Sequence, residues 1–233
     1  MTADLVIVGA GGFARETAAA VDAVNAVTPT WRLRGFLDDN PALLGQRRGS
    51  TPILGALDTI AELPDASVVV CVGNPGNYVA REWLVRRLDL PSDRYASIVH
   101  PTAAVAPDCV IGPGSVLLAH CVLTAAASVG AHVAVMPHTV ITHDDTVEDY
   151  ATLATGVRLG GAVTVARGAY LGAGALVRES IHIGAWSLVG MGSVVLRDVP
   201  PAQVWAGNPA RYRRDVVLPT QPAAARDLRS SAS

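Results

Sequence analysis

Stepping through the chain in sixes from Val99 lands on an aliphatic residue every time. Val105, Ile111, Leu117, Leu123, Val129, Val135, Ile141, Val147, Leu153, Leu159, Val165, Leu171, Val177, Ile183, Val189 and Val195 follow, so all 17 positions are Val, Ile or Leu. If roughly a third of sites were aliphatic, chance would give this run at on the order of 10⁻⁷ or less. Gly often comes next, at Gly112, Gly130, Gly160, Gly172, Gly184 and Gly190. Four places after the aliphatic the residue is usually small, as at Ala103, Ser115, Ala127, Ala169, Ala175, Ser187 and Ser193. A six-residue period is neither helical nor a simple alternating strand. It fits a short strand plus a tight corner, and three such units close one triangular coil. Coils then stack at the inter-strand spacing of ~4.8 Å. Aliphatic side chains fill the prism, and Gly or small residues fit its corners. The register runs unbroken to about residue 196, and spacing leaves the hand of the coil open.

The first third reads differently. Leu5-Val6-Ile7-Val8 is a buried strand, followed by Gly9-Ala10-Gly11-Gly12-Phe13-Ala14 and a helical stretch from Arg15 to about Val24. A second strand, Arg32 to Leu37, ends in Asp38-Asp39, and a third surrounds Ile53. A fourth, Ala66 to Val72, ends in Gly73-Asn74 and precedes a helix from about Asn77 to Leu88. Strands alternating with helices predict a small parallel α/β domain. Ligands bind such sheets at the carboxyl ends of the strands, where the glycine turn, Asp38, Asp39, Gly73 and Asn74 all lie. A glycine-rich strand-to-helix turn can meet a phosphate with backbone N–H groups. A dehydrogenase-type NAD site and a purely structural turn remain open as other readings of it.

Composition narrows the partners. The chain of 233 residues carries a formal charge of −2, and all 18 basic side chains are Arg, with no basic stripe. Nucleic acid is therefore not an expected partner. No run of 18 apolar residues predicts a membrane span. The N-terminus opens at once on a strand, which does not read as a signal peptide. Cys71, Cys109 and Cys121 have neither metal nor disulfide spacing, so reduced thiols in the cytoplasm are expected.

The repeat and the closing segment Val204-Trp205-Ala206-Gly207-Asn208-Pro209-Ala210-Arg211 together resemble the hexapeptide-repeat acyltransferases, whose β-helix is left-handed. The closing segment looks like their V-x-G-[NV]-P-A-[KR] ending. With the Rossmann-like domain in front, the chain resembles the sialic acid O-acetyltransferase family and its relatives, the bacterial nucleotide-amino-sugar N-acetyltransferases. The likeness runs from residue 4 to about 214. It implies a Rossmann-like acceptor-binding domain at 1–96, a left-handed β-helix that binds acetyl-CoA at 97–214, and a flexible tail at 215–233. It also implies a homotrimer, with CoA in a cleft between neighbouring β-helices.

Residue by residue, the resemblance places the nucleotide sugar on Gly9, Gly11, Gly12, Phe13, Asp38, Asp39, Gly73 and Asn74. Relatives often carry His where Phe13 stands, and Asn where Met136 stands. His143 in Ile141-Thr142-His143-Asp144 matches the family's I-x-H-[DE] sequence, so His143 is the expected general base and Asp144 its orienting acid. Gly161 lies 18 residues on, above His143, where a glycine lets the pantetheine arm run close and a backbone N–H meets the oxyanion. Ala173 and Met191 share another edge and would face CoA from a neighbouring chain, with Arg211 near its 3′-phosphate. The expected reaction is direct N-acetylation of a nucleotide-linked amino sugar, with no metal; O-acetylation of a sialic-acid-like sugar is the alternative.

The other histidines suggest a rival. His120 and His138 stack one coil apart, and His138 and His143 form an H-x4-H pair. This resembles the γ-class carbonic anhydrases, where a His trio with an open position would let zinc activate water. A catalytically dead scaffold is a third reading. His100, in Ile98-Val99-His100-Pro101, reads as structural, and His132 and His182 carry no pattern.

Overall fold

A computed structural model describes residues 2–219. Strands β1 (Ala3–Val8), β2 (Trp31–Leu37), β3 (Arg47–Arg48), β4 (Thr51–Gly55) and β5 (Ser67–Val70) form one sheet in the order β3-β4-β2-β1-β5. All its pairs are parallel except the β3–β4 hairpin, which the sequence reading missed. Because β1 lies between β2 and β5, Leu5, Ile7 and Val8 are buried on both faces.

Helix α1 (Gly12–Val27) begins inside the glycine turn, earlier than expected, and runs further. Helix α2 (Ala80–Leu88) begins later than expected. The Asn74 side-chain oxygen accepts from the Gly76 and Asn77 amides at 2.8 and 3.1 Å. That turn occupies the stretch read as the first helical residues.

From Ile98–Val99 to Val194–Val195 the chain is a left-handed parallel β-helix of two-residue strands, each ending on a residue of the six-residue series. Pairing steps by one coil, as in Val122↔Val140 and Leu176↔Val194. From Leu117 onward every aliphatic of the series is buried, whereas Val99, Val105 and Ile111 are only partly so, having no coil beneath them. Corners follow two rules. The glycine after the aliphatic has no room for a side chain: a Cβ on Gly172 would lie 2.5 Å from the Met191 nitrogen. Two residues later the backbone is left-handed, with φ of 60° at His120, 55° at His132 and 62° at Asp144.

The α/β domain packs on the first face of the prism. Ile98, Val116 and Leu118 share a core with Leu5, Ile7, Ala14 and Phe36. Strands Gln203–Ala206 and Arg211–Asp215 close the far end as an antiparallel pair. The expected tail at 215–233 is therefore corrected at its start. Asp215 ends that strand, and the Val216 amide donates to the Ala202 carbonyl at 2.8 Å. Residues 220–233 lie outside the described residues.

Candidate active site

His143 stands on the corner between strands Val140–Ile141 and Thr146–Val147. The coils above and below hold that corner: the Asp144 amide donates to Ala125 at 3.0 Å, and the His143 carbonyl accepts from Ala162 at 2.9 Å. His143 Nδ1 meets Asp144 Oδ2 at 2.8 Å, with both side chains 65% exposed. A carboxylate can only accept, so that contact favours the tautomer with Nδ1–H donating and leaves the Nε2 lone pair free to accept a proton. Gly161 does lie over His143, and its missing side chain matters to the ring directly. A Cβ there would fall 2.3 Å from both Cε1 and Nε2, so the glycine makes room for the imidazole itself.

Asp145, buried just behind, escaped the sequence reading. It occupies the slot that holds small residues elsewhere, and an acid in that slot was the available signal. Its Oδ2 accepts from the Thr142 amide at 2.6 Å and its Oδ1 from the Val163 amide at 2.8 Å. Burial raises its pKa above the ordinary carboxylate value, and these hydrogen bonds oppose the shift. The carboxylate ties the turn before His143 to the next coil.

The glycine turn is built by its neighbours. Gly9 has φ 99°, and a Cβ there would sit 2.7 Å from Val72, so no other residue fits. Asp38 accepts from the Ala10 amide at 2.9 Å and the Asn40 amide at 3.0 Å. Asp39 accepts from the Leu57 amide at 3.0 Å and pairs with Arg87. The acidic pair thus shapes the turn as well as facing the cavity. Gly11 and Gly12 stand in open space at the start of α1, where no side chain caps the helix. Arg48 Nε approaches the Ala10 carbonyl at 3.4 Å, a cation at the turn that sequence spacing could not reveal.

Two cavities are lined by neighbouring residues of the chain, one by Val72 and the other by Gly73. One of about 150 Å³ gathers Gly9, Asp38, Asp39, Leu57 and Val72. The other, of about 240 Å³, lies between the domains and joins Phe13, Gly73, Met136 and Ala173 with Arg81 and Tyr170. Expected acceptor residues therefore face both cavities, and Ala173 of the CoA set reaches the second. Asn74 is exposed and spends its oxygen on its own turn. Met191 stacks above Gly172 on the corner of Ala173 and is 78% exposed. Arg211 lies exposed on the last strand, donating to the Ala210 carbonyl at 2.9 Å. Within one chain the second face, with strands such as Val140–Ile141 and Leu176–Val177, separates the Ala173 corner from the His143 corner.

The remaining histidines divide. His120 and His138 do stack, with ring centroids 5.0 Å apart. Among the described residues of the one chain no group of three or more His, Cys, Asp or Glu could hold a metal. His132 is buried, stacked on Tyr150 and edge-on to Tyr95. Burial, then the Arg81 charge, pushes its pKa down to about 4. Among the described residues no helix is long and apolar enough to cross a membrane.

Known proteins share this arrangement. The family model of the PglD N-terminal domain matches residues 4–88. UDP-N-acetylbacillosamine N-acetyltransferase of Bacillus subtilis is 36% identical over 118 residues, 50% of this chain and 51% of that protein. The chain spans about half the length of this curated relative. A histidine-to-asparagine mutant of perosamine N-acetyltransferase from Caulobacter crescentus, solved with CoA and GDP-perosamine, is 27% identical with a TM-score of 0.80. That match covers 91% of this chain and 97% of the other. The chain has the two-part build of the nucleotide-amino-sugar N-acetyltransferases. In fold alone it also matches the acetyltransferase domain of PglB from Neisseria gonorrhoeae with acetyl coenzyme A. That structure is 24% identical, covers 91% of this chain and 100% of its own, and has a TM-score of 0.80.

Proposed function

We propose that this protein transfers the acetyl group of acetyl-CoA to the amine of a nucleotide-linked amino sugar. The observation that carries the reading is the His143–Asp144 contact of 2.8 Å on a corner where Gly161 leaves space for the ring. The acceptor nitrogen attacks the thioester carbonyl carbon while His143 Nε2 takes its proton. A backbone N–H near Gly161 meets the oxyanion. The tetrahedral intermediate collapses, its C–S bond breaks, and the CoA thiolate leaves. Asp144 holds the imidazole and stabilises its charged form. The nucleotide occupies the cavity beside Asp38 and Asp39, and the sugar reaches the cavity beyond Gly73.

The working unit in this reading is a homotrimer in the cytoplasm. The outward residues of the second face run Ala104, Val122, Val140, Arg158, Leu176 and Val194, a strip that is apolar except for Arg158 and is flanked by the His143 corner and the Ala173–Met191 corner. A second copy covering that strip brings one chain's His143 to the other chain's Ala173, Met191 and Arg211, with acetyl-CoA between them.

The test is His143→Ala in a thioester-consumption assay with UDP-, GDP- and dTDP-linked 3-amino and 4-amino sugars. Turnover should fall by ~10²–10⁴-fold with CoA affinity unchanged. Wild-type rates in the variant would sink the mechanism. Silence across the panel with turnover on a free sugar would favour the hydroxyl acceptor.

A further inference from the structure

Arg81 is 2% exposed, a guanidinium buried between the two domains without an acidic partner among the described residues. The nearest acid on its helix, Glu82, is taken by Arg86 and Arg167. Burying an unpaired charge is costly, so its position calls for a reason. Part of the reason is structural. One nitrogen, NH2, donates to the Tyr150 and Ala151 carbonyls at 2.8 and 3.1 Å and to Thr152 Oγ1 at 2.7 Å. These bonds are strengthened by the charge, yet every acceptor is neutral, so none of them balances it. The rest of the fork is under-used: Nε has no partner, and NH1 reaches only the Val72 carbonyl, at 3.3 Å. NH1 is also the atom nearest to the space a Gly73 Cβ would fill, at 3.8 Å. Arg81 lines the interdomain cavity beside Gly73, Thr152 and Tyr170. Desolvation lowers its pKa to about 10, so it stays charged at neutral pH.

We infer that Arg81 is an anion-recognition residue of the acceptor site, and that the acceptor brings a pair of anionic oxygens to this cavity. The inference rests on the nucleotide-sugar reading and narrows it. A planar fork suits either of two sources of that chemistry, the diphosphate or a carboxylate on the sugar. The glycine at 73 lets the ligand approach where a side chain would stand.

The test measures binding to the full chain by calorimetry with no acetyl-CoA present. The probes are UDP, UDP-glucose and UDP-glucuronate, with the matching dTDP-glucose and GDP-mannose pairs. Arg81→Met keeps the length of the side chain and removes its charge. If the diphosphate is the source, every probe weakens by at least tenfold. If a carboxylate is, wild type prefers the uronate and only that preference disappears. Unchanged affinity for all probes, or no binding of any by wild type, overturns the inference. CoA affinity reports that the variant is folded. Should Arg81→Met not fold, Arg81→Lys decides: it keeps the charge and loses the fork, so a severalfold loss is expected and wild-type affinity is the overturning result. If affinities are unchanged while wild type still consumes acetyl-CoA thioester, only the Arg81 role falls. If thioester consumption is also absent, the acetyltransferase reading falls with it.

Discussion

The imidazole of His143 occupies the space that any side chain at position 161 would need. A methyl at Gly161 would overlap Cε1 and Nε2 at 2.3 Å. The ring would have to swing out and lose its Asp144 contact, because the backbone on both sides is tied to neighbouring coils. Displacing a catalytic group by about 1 Å can cost ~10²-fold in rate. Gly161→Ala should therefore lower kcat by about 10²-fold while the melting temperature and CoA affinity hold. Near-normal kcat in steady-state assays would show that the ring position is not limiting. His143 and Asp144 were picked out by their likeness to the I-x-H-[DE] sequence, and the unbroken register then placed Gly161 one coil above His143. Asp145 was signalled only by the slot it fills, four places after Ile141, and within the polar run from Thr142 to Thr146 it read as one more surface residue. Arg81 was invisible for another reason: its surroundings exist only once α2 docks on the coil carrying Tyr150 and Thr152.

At the scale of elements, the corner that leads into the first face does the docking. It stacks His132 on Tyr150, lays the Arg167 guanidinium over Tyr150 at 4.5 Å, and meets Tyr95 and Glu82 of the α/β domain. The six-residue pattern foretold that such corners exist and where. It could not foretell which corner an α/β domain covers, because outward side chains carry no phase. The buried His132 makes this contact sensitive to pH. Desolvation and the Arg81 charge depress its folded pKa to about 4, against Asp149 nearby, whose charge pulls the other way. The unfolded imidazole titrates near ~6.5. As pH falls from ~6.5 toward 4 the unfolded chain binds a proton that the folded chain refuses, so stability is full above that window and drops within it. The loss is about 3 kcal/mol. Urea midpoints should decline between those pH values in wild type and flatten in His132→Phe. Parallel curves for the two proteins would mean that His132 takes up its proton without opening the interface.

For the molecule as a whole, the geometry of one chain leaves the proposed site in two halves. His143 projects from the corner after the second face, whereas Ala173 and Met191 stand on the corner before it. A site shared between copies makes a prediction that an intramolecular site does not. His143→Ala removes the base, and Ala173→Arg fills the CoA edge, so each variant alone should be inactive. Co-expressed in equal amounts and assembled at random into cyclic trimers, each interface draws its base from one chain and its CoA edge from the next. Both halves are intact only where an Ala173→Arg chain supplies the base and a His143→Ala chain supplies the edge. About one interface in four meets that condition, so the mixture should recover about a quarter of wild-type turnover. A site completed within a single chain would recover nothing, because every chain in the mixture carries a defect. Native mass spectrometry of the same sample, which counts the subunits and the mixed species, separates failed assembly from a failed assignment of the two corners.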